Sequence, residues 1–343
     1  MGSDVGIAEL ILTGGFRVVS VVGLAKNSGK TTTLNCIIGE TAFREVSLGL
    51  TSTGMDGEAV DSLLRTQKPR IEVGPGVVFT TVSGELTGDV EIGGDVEVIR
   101  TTGHTTPLGD VIVARARRPA RVVLVGPSNV SGMGRMTAEL LEIEGCTLVL
   151  VDGSMDRLAA AGPDIADGVV LAAGAVMGPD IETVVEKTAH AVDLLTTGKT
   201  DASPPEAAVD DRMIAVGTGG ARWETHPGTL VSDLDWALTR LEEGGGRLFT
   251  TGAVTDEVLE ELIKRELFCE LIVPDATRLF ISPREKHRWE AGGGRLSVST
   301  PLRLIAVTVN PENPEGRGFD GREFLKTMRE RLSGIEVFDV MEQ

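Results

Sequence analysis

The sequence predicts an α/β protein built on a covered, mostly parallel sheet, followed by a second, smaller α/β unit. Apolar runs such as Val18-Val19-Ser20-Val21-Val22, Leu148-Val149-Leu150-Val151 and Val169-Val170-Leu171-Ala172-Ala173 are hydrophobic on both faces, as buried parallel strands are. Segments of helical periodicity alternate with them. Small or polar residues follow each run, where an open α/β sheet carries its ligand loops. A length of 343 residues implies about two domains.

The first element pair is the most informative. The apolar run 18–22 is followed by Gly23-Leu24-Ala25-Lys26-Asn27-Ser28-Gly29-Lys30-Thr31, which fits GxxxxGK[ST]. The glycines let the backbone curl so that several N–H groups point into one anion-sized cavity. Lys30 supplies positive charge to the β/γ-phosphates, and the Thr31 hydroxyl suits Mg²⁺. Thr32, Thr33, Leu34, Ile37 and Ile38 have the spacing of a helix that would aim its positive dipole end at the phosphates. The expected fold is thus a P-loop NTPase-type domain over 1–197. Lys26, Asn27, Ser28, Gly29, Lys30, Thr31 and Thr32, with Gly23, form its nucleotide contacts.

A second strand is expected near Val46–Leu50, completing a right-handed βαβ unit. The texture of 69–121 then changes to short alternating segments, Arg70-Ile71-Glu72-Val73 among them, which predict a β-rich insertion of half-exposed antiparallel strands. Parallel strands return at Val122–Val125, 148–151 and 168–173, with helices through Met136–Ile143 and Asp180–Leu195. Residues 198–212, with Ser203-Pro204-Pro205, read as a linker. Residues 213–343 carry a second α-then-β pattern, a partner or regulatory domain.

Composition narrows the function. Hydrophobic residues make up 41% and charged ones 24%, as in ordinary globular proteins; 3% aromatics and no Tyr leave the core to aliphatic side chains. A net charge of −18 argues against a general nucleic-acid or anionic-membrane surface. Cys36, Cys146 and Cys269 lack CxxC spacing, which argues against zinc or a disulfide framework. No basic, apolar leader and no run of about 18 apolar residues is present, so a cytoplasmic location is expected.

Phosphoryl chemistry needs a carboxylate to complete the Mg²⁺ shell and position water. Asp56 sits in the flexible segment after the second strand. Asp152 ends an apolar strand in the hhhhD form. Both stand as candidates, with Glu58 a weaker third. Residues 126–135 resemble a loop that meets a γ-phosphate at a strand end, though a plain strand-to-helix turn fits equally. Arg135 and Arg157 are weak candidates for charge stabilisation, and the four histidines carry no assigned role. Gly198-Lys199-Thr200-Asp201, the nearest approach to a guanine-reading [NT]KxD motif, lacks the first residue and lies in the linker, which favours ATP over GTP.

Taken together, GLAKNSGKTTTLN, TSTGMDGE, KPRIEVGPG, TPLGDVIVAR, GPSNVSGMGRM, LVLVDGSMDR, DGVVLAAGAV, PDATRLFIS, LIAVTVNPENPEG and VFDVM resemble the KamB subunit of the aminomutase reactivase over nearly the whole chain. The loop alone is less specific, being similar to that of the molybdopterin-guanine dinucleotide adaptor family. The resemblance implies an ATPase, slow without its partners, that reactivates an adenosylcobalamin-dependent aminomutase by driving exchange of damaged cobalamin. It also implies a second, MutS-like reactivase subunit, and leaves homo-oligomerisation open. Gly23, Gly29, Lys30 and Thr31 carry over as phosphate and Mg²⁺ contacts, Asp56 and Asp152 only as strand-end acids. The rival readings are a small-molecule kinase of the dethiobiotin-synthetase-like type and a nucleotide-binding adaptor with little hydrolysis.

Overall fold

The computed structural model describes residues 5–53, 70–86, 93–153, 162–202, 212–217, 222–314 and 316–341. In chain order, α1 (Ile7–Thr13), β1 (Val18–Gly23), α2 (Lys30–Thr41) and β2 (Leu48–Ser52) come first. Next are β3 (Ile71–Val73), β4 (Val78–Val82), the hairpin β5 (Val96–Thr106) and β6 (Gly109–Ala116), and β7 (Ala120–Val122). Then come α3 (Val130–Glu142), β8 (Leu148–Gly153), β9 (Gly168–Gly174) and α4 (Ile181–Leu195). After them lie β10 (Arg212–Gly217), β11 (Arg222–Pro227), α5 (Leu234–Glu242), β12 (Gly245–Thr250), β13 (Val254–Thr255) and α6 (Asp256–Lys264). The chain finishes with β14 (Glu270–Val273), β15 (Leu279–Phe280), α7 (Pro283–Ala291), β16 (Arg295–Val298), β17 (Leu304–Asn310), α8 (Gly321–Arg331) and β18 (Val337–Asp339).

The fold is mixed α/β around a nine-stranded sheet of order β18-β17-β9-β1-β8-β2-β4-β6-β5. Neighbours from β18 to β4 run parallel, and the β5–β6 hairpin closes one edge antiparallel. Strand alternation splits the core into two layers. Val19 and Val21 of β1, Leu148 and Leu150 of β8, Val170 of β9 and Ala306 of β17 pack with Leu34 and Ile37 of α2. Val18, Val149 and Val151 point the other way, onto Met133, Met136 and Leu140 of α3. Both faces are therefore apolar because both are covered, as the doubly hydrophobic runs predict.

Three expectations about organisation meet a different arrangement. In 69–121 the antiparallel pairings β4–β6, β5–β6 and β3–β7 are as expected, but β4 also pairs parallel with β2, so that β4, β6 and β5 continue the main sheet. The run Val122–Val125 is not a parallel strand. Val122 ends β7, and beyond it the chain runs buried without a ladder, the Val125 N–H reaching the Thr80 carbonyl at 3.0 Å. The domain boundary also shifts. One compact unit comprises 1–189 together with 303–343, and the other 190–302. Residues 303–343, expected in the second domain, return because the apolar Leu304–Asn310 pairs parallel with β9 and is followed by β18 on the same edge.

The unit 190–302 holds a five-stranded sheet of order β11-β10-β12-β14-β16. β12, β14 and β16 are parallel as expected, and β10 runs antiparallel to both its neighbours. Trp289 of α7 is fully buried there. Among the described residues, no helix is long and apolar enough to cross a membrane.

Candidate functional site

The loop between β1 and α2 is built by two left-handed residues, Asn27 at φ 63° and Gly29 at φ 97°. Asparagine tolerates this region and glycine occupies it freely. Gly23 ends β1, and the next residue still bonds into the sheet, the Leu24 N–H donating to the Ala172 carbonyl at 2.9 Å. Lys26 and Asn27 are exposed at the tip, whereas Ser28 is buried. Gly29 then caps α2, and the Thr33 N–H donates to its carbonyl at 2.8 Å.

The start of α2 is chemically unfinished. The first helical N–H groups need partners. In α3, α7 and α8 a side chain of Asn129, Ser282 or Asp320 accepts one of them. At α2 there is no side-chain cap and no acidic residue in the first turn. Among the described residues, the buried Ser28 Oγ has no hydrogen-bond partner. Uncapped donors, a helix dipole and an unpartnered hydroxyl are the features that an anion would satisfy.

A single parity rule brings the other parts here. Residues of β1, β8, β9 and β17 that share a face with the α2 layer end, at the carboxyl edge of the sheet, in Gly23, Asp152, Gly174 and Asn310. Asp152 follows Leu148 and Leu150 on that face, and so meets the first turn of α2. Lys30 Nζ lies 3.0 Å from its Oδ1, with both side chains partly exposed at 27% and 19%. The contact is a charge pair without hydrogen-bond alignment, since that oxygen accepts no hydrogen bond from the described residues. Gly174 permits close approach of β9: a Cβ there would stand 2.8 Å from Ser28 Cα. Thr308 donates to or accepts from Thr33 at 2.7 Å, with both residues buried.

No protein-family model, curated protein or solved structure matches the chain.

Of the expected site residues, Gly23, Lys26, Asn27, Ser28, Gly29, Lys30, Thr31 and Thr32 lie together on the β1–α2 connection, and Asp152 joins them. Asp56, Glu58 and Arg157 lie outside the described residues. Arg135 is exposed and donates to Ser131 Oγ at 2.7 Å. The segment around Gly126 packs on the Ser52 carbonyl at the end of β2, the strand beside Asp152, and Asn129 accepts the Gly132 N–H to cap α3. β17 adds Thr308 and Asn310, two residues that lie outside the expected site set. Their signal was present in LIAVTVN, a doubly apolar strand ending in a polar residue, the same grammar as LVLVD. Among the described residues, no group of three or more His, Cys, Asp or Glu side chains is placed to hold a metal. A cation here would draw on oxygen atoms of the loop and of Asp152, together with an anionic ligand.

Proposed function

We propose that this chain is a P-loop ATPase whose nucleotide site is the β1–α2 loop. The observation that supports this most is that one short stretch, the end of the β1–α2 loop and the first turn of α2, holds an uncapped helix start, the Ser28 hydroxyl without a partner among the described residues, and the Lys30 ammonium. Polyphosphate satisfies all three. Lys30 is paired to Asp152; a triphosphate tail offers it a stronger, charge-assisted partner. That exchange frees Asp152. The Asp152 carboxylate and the Thr31 hydroxyl are oxygen donors of the kind a hard cation takes, and they are the residues that would hold Mg²⁺. When bound, Mg²⁺ neutralises charge on the β/γ-phosphate oxygens. Lys30 and the loop N–H groups hold the phosphates in place and stabilise negative charge as it develops.

The resemblance to the aminomutase reactivase subunit supports a specific use of this turnover. ATP binding and hydrolysis would drive release of damaged cobalamin from an adenosylcobalamin-dependent aminomutase, together with a MutS-like subunit. Full-length protein with ATP and Mg²⁺ should then hydrolyse slowly alone and faster with the mutase and partner subunit. Phosphate transfer to a metabolite would establish the kinase reading instead. Nucleotide binding without turnover under any of these conditions would establish the adaptor.

A further inference from the structure

The phosphate loop is walled from the far end of the chain. Asn310 is the last residue of β17 and is 8% exposed. Its Oδ1 accepts the Glu312 N–H at 3.1 Å, which fixes the carboxamide: oxygen toward the following turn, NH₂ toward the loop. A Cβ placed on Gly29 would stand 2.6 Å from Asn310 Cβ and 3.1 Å from Nδ2. The side chain thus rests on the residue whose left-handed backbone turns the loop into α2. One turn along, the Thr33–Thr308 hydroxyl pair holds the same strand against the same helix.

We propose that Asn310 is a positioning residue for the phosphate-binding loop. It braces the Gly29 peptide in the conformation that aims the loop N–H groups at one anion, and its Nδ2 N–H dipole adds to the positive field they create. The inference rests on the nucleotide-binding reading above. A packing role and a field-bearing role differ in one respect: aspartate has nearly the shape of asparagine, yet it would replace the donor group with negative charge.

Asn310→Asp and Asn310→Ala in the full chain, titrated with AMP, ADP and ATP in metal-free buffer, separate the two. The Asp variant is expected to bind ATP about tenfold more weakly at low salt, to recover much of that loss at about 0.5 M salt, and to lose progressively less with ADP and AMP. Its unliganded melting temperature should stay near that of wild type. Equal weakening of all three nucleotides by both variants, or no weakening where Lys30→Ala does weaken ATP binding, overturns the proposal. If Asn310→Asp does not fold, Asn310→Ala decides: a loss of about threefold for ATP with AMP unchanged supports it, and unchanged ATP affinity overturns it. If wild type and Lys30→Ala bind ATP alike, the nucleotide site itself has been misassigned, an outcome distinct from failure at Asn310.

Discussion

Lys30 Nζ sits 3.0 Å from Asp152 Oδ1, so the loop's cation is held by the same carboxylate that is proposed for the metal shell. Each side chain therefore masks the other. Lys30→Ala should weaken ATP binding by about 2–4 kcal/mol, because a charge-assisted phosphate contact is lost. Its effect on folding should stay within about 1 kcal/mol, since the pair is partly solvated. Asp152→Asn should behave oppositely toward metal-free ATP, binding it as well as or better than wild type, because Lys30 no longer has to leave a carboxylate. Its Mg²⁺-dependent turnover should fall about a hundredfold or more. Calorimetric titration with and without Mg²⁺, beside a phosphate-release assay, reads both. Tighter Mg²⁺-dependent binding retained by Asp152→Asn would remove Asp152 from the shell.

Gly29→Ala should destabilise the protein through two additive faults. Its φ of 97° is strained for any residue with a Cβ, at about 1–3 kcal/mol. The new methyl would also meet Asn310 Cβ at 2.6 Å. Asn310→Ala keeps that Cβ and should not rescue the variant. Asn310→Gly removes it and should restore part of the lost melting temperature, leaving the backbone strain. Differential scanning calorimetry of the single and double variants measures both contributions.

The loop was legible in the sequence because its demands are local. Asn27 and Gly29 meet the two left-handed positions, Lys30 follows directly, and the apolar run before it dictates a strand. Asp152 was legible for a similar reason, as the polar stop of an apolar strand. Thr308 and Asn310 were not, because their place depends on which strand β17 pairs with, and parallel pairing leaves no short-range signature. The intervening unit 190–302 concealed the return of the chain. Val122–Val125 was misread for a converse reason: a short apolar run meets the needs of a buried extended segment over β4 as well as those of a ladder strand.

The Thr33–Thr308 pair offers a test of that return. The two hydroxyls are 2.7 Å apart, and their residues are 0% and 1% exposed. Thr308→Val leaves the Thr33 hydroxyl buried without a partner, which should cost about 1–3 kcal/mol in urea unfolding. Thr33→Val should cost a similar amount. The double valine variant removes both polar groups while keeping shape, so it should recover most of the loss. Strict additivity of the two single effects would show that the hydroxyls do not meet.

Burial governs the three thiols, with a consequence for alkaline stability. It is the main cause raising Cys36 to about 12, with the neighbouring Glu40 carboxylate adding to it. Burial likewise raises Cys146 to about 11, helped by Glu144, and Cys269 to about 12, helped by Glu270. In the unfolded chain these thiols ionise near their ordinary value of 9.0. Below that pH both states keep the proton, and this contribution to stability is fully present. Above it the unfolded chain releases protons that the folded chain retains, so stability falls as pH rises from about 9 toward about 11 to 12. Replacing the buried Cys269 with Ala should flatten part of that decline in urea midpoints measured from pH 8 to 11, after allowing for the volume lost. At pH 8, native protein should react slowly with a thiol reagent, and denatured protein should titrate three groups rapidly. Fast labelling of the folded chain at that pH would mean that at least one of these sulfurs is open to solvent as thiolate.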